Sequence, residues 1–173
     1  MGMTNDAWRQ DNETKLRQMV EQMGPRLYRF AWAMLTNKEA ADDVVQECFV
    51  RYWRQLDKEP GRNLGPGWLL RVTARLCLDE GRRRGRRQET LERLSDLWRT
   101  NAPCDDPAAG PDQEIFSLVM QLKPKDRLTM LLVYYQDLPL AEAASILGTT
   151  ETFLKTKLSR IRKRLKKEWE RGQ

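Results

Sequence analysis

The stretch LPLAEAASILGTTETFLKTKL, residues 138–158, decides the fold. Leu138 to Leu147 is short, apolar and rich in alanine, Gly148-Thr149-Thr150 has the composition of a turn, and a basic amphipathic segment runs from Glu151 to about Trp169. That order predicts a helix-turn-helix. Small Ala143 and Ala144 let two helices cross closely, and Gly148 admits a left-handed helix end. Leu147, Leu154, Leu158, Ile161 and Leu165 recur at the spacing that knits the pair to a core. The remaining face of the second helix carries Thr152, Lys155, Thr156, Ser159, Arg160 and Lys163, donors suited to base edges and phosphates in a major groove. Charge alone would fit a solvated surface helix equally well. The small-residue helix and the glycine turn ahead of it favour DNA binding.

Working outward, the C-terminal part reads as a helix at 113–122 and another that starts with Pro124 as its first helical residue. The N-terminal half reads as three further helices. Leu16, Met19, Val20, Met23, Leu27, Phe30, Met34 and Leu35 give a long first helical region, with Gly24-Pro25 as a break or restart. Thr36-Asn37-Lys38-Glu39 has the spacing of a capping box, predicting a second helix with Thr36 as its cap. Its apolar stripe runs Ala40, Ala41, Val44, Val45, Cys48, Phe49, Tyr52, Trp53, Leu56, with Asp42, Asp43, Gln46 and Glu47 on another face. Residues 57–67 hold Pro60, Gly61, Gly65, Pro66 and Gly67 and read as a shaped loop. A third helix is predicted from about Trp68 to near Gly81, ending in the run Arg82, Arg83, Arg84, Arg86, Arg87. Residues 88–112 have the composition of a linker, with Leu91, Leu94, Leu97 and Trp98 spaced for one short amphipathic helix inside it. No strand signal or internal repeat stands out. The fold class is therefore all-α: two small helical domains joined by a flexible linker, the second a helix-turn-helix.

Hydrophobic residues make up 40% and charged residues 32% of the 173, the balance of a soluble, strongly solvated helical protein. No window approaches a membrane span or a signal-peptide core, so the expected compartment is the cytoplasm. Cys48, Cys77 and Cys104 are odd in number, widely spaced and without a CxxC pair, which argues against a disulfide framework or zinc knuckle. Cys48 and Cys77 read as core residues, and only Cys104 keeps a redox reading. The chain has no histidine, and thus lacks the commonest general base and metal ligand. Its net charge of +6 is concentrated in residues 81–87 and after Thr152, which points to a polyanionic partner.

The segment from Leu122-Lys123-Pro124 through Leu138–Gly148 to Leu154-Lys155-Thr156-Lys157-Leu158 resembles the C-terminal promoter-binding domain of bacterial sigma factors. Asp43-Val44-Val45-Gln46-Glu47-Cys48-Phe49, followed by Trp53, resembles the helix with which those factors grip the clamp helices of RNA polymerase. Trp68-Leu69-Leu70-Arg71-Val72-Thr73-Ala74-Arg75, with Asp79 and the arginine run, resembles their minus-ten helix. The short two-domain layout is similar to the extracytoplasmic-function group. Arg75, Pro139, Thr152 and Phe153 depart from residues common in that family.

The resemblance implies a polymerase-binding and minus-ten domain at 1–87, a linker at 88–112 and a minus-thirty-five domain at 113–173. Asp42, Asp43, Gln46, Glu47 and Phe49 would bind polymerase. Trp68, Arg71, Arg75, Arg82, Arg83, Arg84 and Arg86 would engage minus-ten DNA, with the 57–67 loop capturing an unstacked base. Thr150, Glu151, Thr152, Lys155, Thr156, Ser159, Arg160 and Lys163 would meet the minus-thirty-five element. The implied partners are core RNA polymerase, through its clamp helices and flap, promoter DNA, and an anti-sigma factor, membrane-bound or not. No cofactor, metal, small-molecule substrate or catalytic residue is implied, catalysis being the polymerase's. The alternative is a free-standing helix-turn-helix regulator, whose N-terminal half would serve dimerisation or ligand binding.

Overall fold

The computed structural model describes residues 5–59, 64–92 and 113–171. Its elements are α1 (Asn5–Leu35), α2 (Lys38–Lys58), α3 (Pro66–Glu92), α4 (Gln113–Met120), α5 (Pro124–Met130), a π-helical turn (Leu131–Tyr135), α6 (Leu140–Leu147) and α7 (Glu151–Arg171). Among the described residues there is no strand, and no helix is long and apolar enough to cross a membrane. The chain divides into two units, Met1–Cys77 and Leu78–Gln173, the division falling inside α3.

In the first unit α1 and α2 form an antiparallel pair joined by a two-residue turn. The break expected at Gly24-Pro25 does not occur, and α1 continues through Pro25. Proline removes only the N–H that would reach the Glu21 carbonyl, and both residues are exposed, so water can take that carbonyl. Met23, Leu27, Phe30, Ala31 and Met34 are buried around the proline, and that packing outweighs the local penalty.

The expected cap at Thr36 is shifted by one residue. Thr36 adopts a left-handed conformation (φ 51°) that ends α1, and its hydroxyl donates to the Leu35 carbonyl. Asn37 takes over as the N-cap of α2, its Oδ1 accepting from the Ala40 N–H at 2.8 Å. The capping box is therefore not formed.

Ala40, Ala41, Val44, Cys48, Tyr52 and Leu56 form the buried stripe of α2, and Leu69, Leu70, Thr73, Ala74 and Cys77 that of the first part of α3. Between them runs a buried polar chain. The Thr73 hydroxyl donates to Cys48 Sγ at 3.3 Å, and the Cys48 thiol donates to the Leu69 carbonyl at 3.6 Å. Burial raises the Cys48 pKa to about 11, the Thr73 hydrogen bond acting weakly the other way. Cys77 is pushed to about 12 by burial and by the neighbouring Cys48. Both are core thiols with no nucleophilic character at neutral pH.

Helix α3 starts at Pro66, two residues before the expected start, and continues eleven residues past Gly81 to Glu92. Proline is pre-shaped for a first helical turn. Beyond Gly81 the helix is laced by Arg83 and Arg84 to Glu80, both at 2.9 Å, and by Arg82 to Asp79 at 3.4 Å. The linker expected at 88–112 thus begins with helix at 88–92. The remainder of that stretch, including Leu94, Leu97, Trp98 and Cys104, lies outside the described residues, as do residues 60–63 of the expected loop.

The second unit packs α4 to α7 around Leu122, Leu128, Leu131, Leu132, Ala143, Ala144, Ile146, Leu154, Leu158, Ile161 and Leu165. Pro124 is the first residue of α5, as read. The Arg127 guanidinium turns back to donate to the carbonyls of Met120 and Leu122, satisfying groups that the end of α4 leaves open. After α5 the backbone widens into the π-helical turn, closed by the Gln136 N–H on the Leu131 carbonyl at 2.8 Å and by left-handed Asp137. This turn had no signal in the apolar spacing.

Candidate nucleic-acid and protein interfaces

Helices α6 and α7 form the expected helix-turn-helix. Ala143 and Ala144 are buried at the crossing, and Gly148 closes α6 at φ 65°, a conformation that costs a residue with a Cβ. The Thr149 N–H reaches back to the Ala144 carbonyl at 2.9 Å, completing a Schellman-type end. Thr150 then starts α7 by accepting the Phe153 N–H on its hydroxyl oxygen at 3.2 Å.

One face of α7 is pinned by Leu154, Leu158, Ile161 and Leu165, so the opposite face must point outward. Thr152, Thr156, Ser159 and Lys163 recur along its centre at spacings of three and four, flanked by Lys155 and Arg160. All are exposed except Ser159, which is half-buried. The structure therefore brings these six sequence-named residues onto one face.

Several are already engaged within the helix. Lys155 pairs with Glu151 at 3.0 Å, and the Thr156 hydroxyl donates to the Thr152 carbonyl at 3.1 Å. Thr150 acts as a cap. These are local, solvent-facing interactions that a phosphate or base could replace at small cost. Lys157, which was not singled out, does something different: its ammonium lies 3.1 Å from both the Asp126 carboxylate and the Lys125 carbonyl, tying α7 to the first turn of α5.

On α2 the buried stripe fixes an outward face on which Asp42, Asp43 and Gln46 are exposed, while Phe49 is half-buried. Glu47 is partly exposed and held by Arg51 at 2.7 Å. Val50 stands on this same face, one turn beyond Gln46, with 41% of its surface exposed. Sequence reasoning missed it, because an apolar residue beside the stripe Cys48–Phe49 gives no sign that it faces water. An acidic and amide-bearing face with an exposed aliphatic group suits a basic partner helix: charge orients and apolar burial binds.

On α3, Trp68 is half-buried with its ring tilted 58° to that of Tyr52, centroids 6.0 Å apart, so it is partly a packing residue. Arg71 is half-buried and Arg75 exposed. Arg82, in the second unit, is exposed and pairs with Asp79 at 3.4 Å. Arg83 and Arg84 converge instead on Glu80. Burial alone would raise the Glu80 pKa, but hydrogen bonds from Arg84 and Arg83 outweigh it and the pKa is lowered. Glu80 is therefore a fixed anion beneath the basic run. The Arg86 side chain lies outside the described residues.

Two family models match the chain: Sigma-70 region 2 over residues 19–87, and Sigma-70, region 4 over residues 112–165. The chain is similar to the ECF RNA polymerase sigma factor SigE of Mycolicibacterium smegmatis, 31% identical over 160 residues that cover 86% of this chain but 59% of that protein. It is also similar to the ECF RNA polymerase sigma factor SigM of Bacillus subtilis, 27% identical over 147 residues covering 84% of this chain and 90% of that one. The fold resembles that of the sigma factor RpoE from Bartonella quintana, solved in complex with the anti-sigma factor NepR, with a TM-score of 0.69 at 23% identity over 90% of this chain and 97% of that one.

Proposed function

The chain belongs to the extracytoplasmic-function group of RNA polymerase sigma factors, and on that premise we propose that it binds core RNA polymerase and directs promoter-specific transcription initiation. The observation that carries this reading is the occurrence of both sigma-70 regions in one chain, region 2 at 19–87 and region 4 at 112–165. A free-standing helix-turn-helix regulator is not favoured, because the region 2 match accounts for the half of the chain that such a regulator would need for dimerisation or ligand binding.

In this reading residues 1–87 dock polymerase and open the minus-ten region, 88–112 connect, and 113–173 read the minus-thirty-five element and engage the flap. Asp42, Asp43, Gln46, Glu47 and Phe49 meet the clamp helices, and Arg51 releases Glu47 to a basic partner. Trp68, Arg71, Arg75, Arg82, Arg83, Arg84 and Arg86 line up on minus-ten DNA. The cations contact phosphates and give salt-sensitive affinity, while the 57–67 loop holds an unstacked base. Extruding a base costs a few kcal/mol, so a factor that binds the flipped state drives local melting without ATP. Thr150, Glu151, Thr152, Lys155, Thr156, Ser159, Arg160 and Lys163 face the minus-thirty-five major groove.

The factor catalyses nothing itself and works in the cytoplasm, where its polymerase is. An anti-sigma factor belongs to the reading as a third partner, on the precedent of RpoE and NepR. Titrating labelled chain with core polymerase tests the proposal. Saturable binding that raises promoter affinity supports it, and absence of binding to core refutes it.

A further inference from the structure

Phe153 is the most exposed of the large apolar side chains among the described residues, at 59%. It has no part in the core, whose α7 contribution is Leu154, Leu158, Ile161 and Leu165. Its backbone is nonetheless fixed, since its N–H is the one that Thr150 caps at 3.2 Å. The phenyl ring is thus held in the first turn of the helix, where a recognition helix reaches deepest towards base edges. On the helix surface it precedes Thr156 by three residues and Arg160 by seven, and it adjoins Thr152. The surroundings are hydroxyls and cations, which fit a polyanion better than an apolar protein surface.

A phenyl ring can donate no hydrogen bond to a base. The apolar group that a major groove offers is the 5-methyl of thymine. We propose that Phe153 is a specificity-determining residue that contacts a thymine 5-methyl in the element read by α7. This rests on the reading of the chain as a sigma factor whose α7 binds DNA. It adds a residue of different chemistry to the hydrogen-bonding and cationic face already described. In free protein the ring stands in water, and binding buries it against the methyl, so the contact adds affinity only where a thymine stands.

The test uses holoenzyme reconstituted from core polymerase and the full chain. Promoters are first selected by transcription from a library randomised across the minus-thirty-five region. Each selected thymine is then replaced by deoxyuridine, which keeps every hydrogen-bonding group and removes only the methyl. At one position the substitution is expected to weaken wild-type promoter binding about fourfold, the size of one methylene-sized apolar contact. Phe153→Ala should lose that sensitivity while keeping its response to substitutions elsewhere in the element, and Phe153→Leu should retain part of it. A selected element without thymine overturns the proposal, as does wild-type binding indifferent to every deoxyuridine, or a Phe153→Ala variant as sensitive as wild type. Each of those results leaves promoter-specific transcription standing, whereas no selection from the library at all refutes the sigma-factor reading itself. A misfolded Phe153→Ala would lose its response to every substitution in the element, so retained responses elsewhere certify the variant, and Phe153→Leu gives the same comparison with the fold least disturbed.

Discussion

The ammonium of Lys157 lies 3.1 Å from the carboxylate of Asp126, with the two side chains only 24% and 28% exposed. The same ammonium donates to the Lys125 carbonyl, so a cation on α7 anchors that helix to the start of α5. Partial burial shields the pair from solvent screening. Asp126→Asn is expected to lower the stability of the second unit by about 1 kcal/mol, and Lys157→Met by somewhat more, because it also removes the bond to the backbone. Urea denaturation of the two variants and the double variant would read this directly. Additive effects in the double variant would mean that the pair contributes no coupling.

Gly148→Ala is expected to cost about 1 kcal/mol, since φ 65° places a Cβ against its own backbone although nothing else lies within 4 Å of it. The angle between α6 and α7 depends on that turn. Promoter affinity should therefore fall with stability, measurable as a lower melting temperature and a weaker footprint over the minus-thirty-five region. An unchanged melting temperature would mean that the turn relaxes without strain.

Cys48 and Cys77 predict an alkaline limit. Their thiols carry folded pKa values of about 11 and about 12 against an ordinary 9.0, so the folded state holds the proton that the unfolded chain gives up. Stability from this source is complete below pH 9 and is lost as pH rises from 9 towards those values. Denaturation followed from pH 8 to 10.5 should show the decline, and Cys77→Ala should flatten it after allowing for its own packing loss. Alkylation mapped by peptide mass at pH 8 should leave both thiols unmodified until the protein is unfolded.

Charge reversal at Asp43 and Glu47 to Lys is expected to weaken core polymerase binding on the order of tenfold at low salt, mainly through the association rate, with the gap closing at high salt. Both carboxylates face solvent, so the circular dichroism spectrum should not change. Val50→Ser should weaken binding without that salt dependence, since it removes apolar burial and leaves the charge unchanged. Unaltered affinity in both variants would mean that this face of α2 only meets water.

The helix-turn-helix was legible because its determinants are local: Gly148 has one conformational use there, and the leucine spacing of α7 has one reading. What the sequence misjudged were breakers and caps. Pro25 and Gly81 look like helix ends, yet buried neighbours carry α1 through the first and the Glu80 ion pairs carry α3 through the second. Thr36 and Asn37 are both competent caps, and the left-handed backbone of Thr36 hands the role to Asn37. Among candidate site residues, the polar and charged ones could be assigned to outward faces from periodicity alone. Val50 could not, because an apolar residue beside a buried stripe reads as core until a structure leaves it in water, and Phe153 stood out only as a departure from the residue common in the family. Lys157 escaped notice for the converse reason, its partner lying thirty-one residues earlier on another helix.

Every role assigned to this chain depends on its conferring promoter recognition on a polymerase that lacks it. Run-off transcription with core polymerase on the DNA upstream of the chain's own gene tests it most directly. The expected product is a transcript of defined length that requires the chain and disappears when the minus-thirty-five or minus-ten segment is scrambled. Binding to core with no specific transcript from that DNA or from any sequence of a randomised promoter library would contradict it.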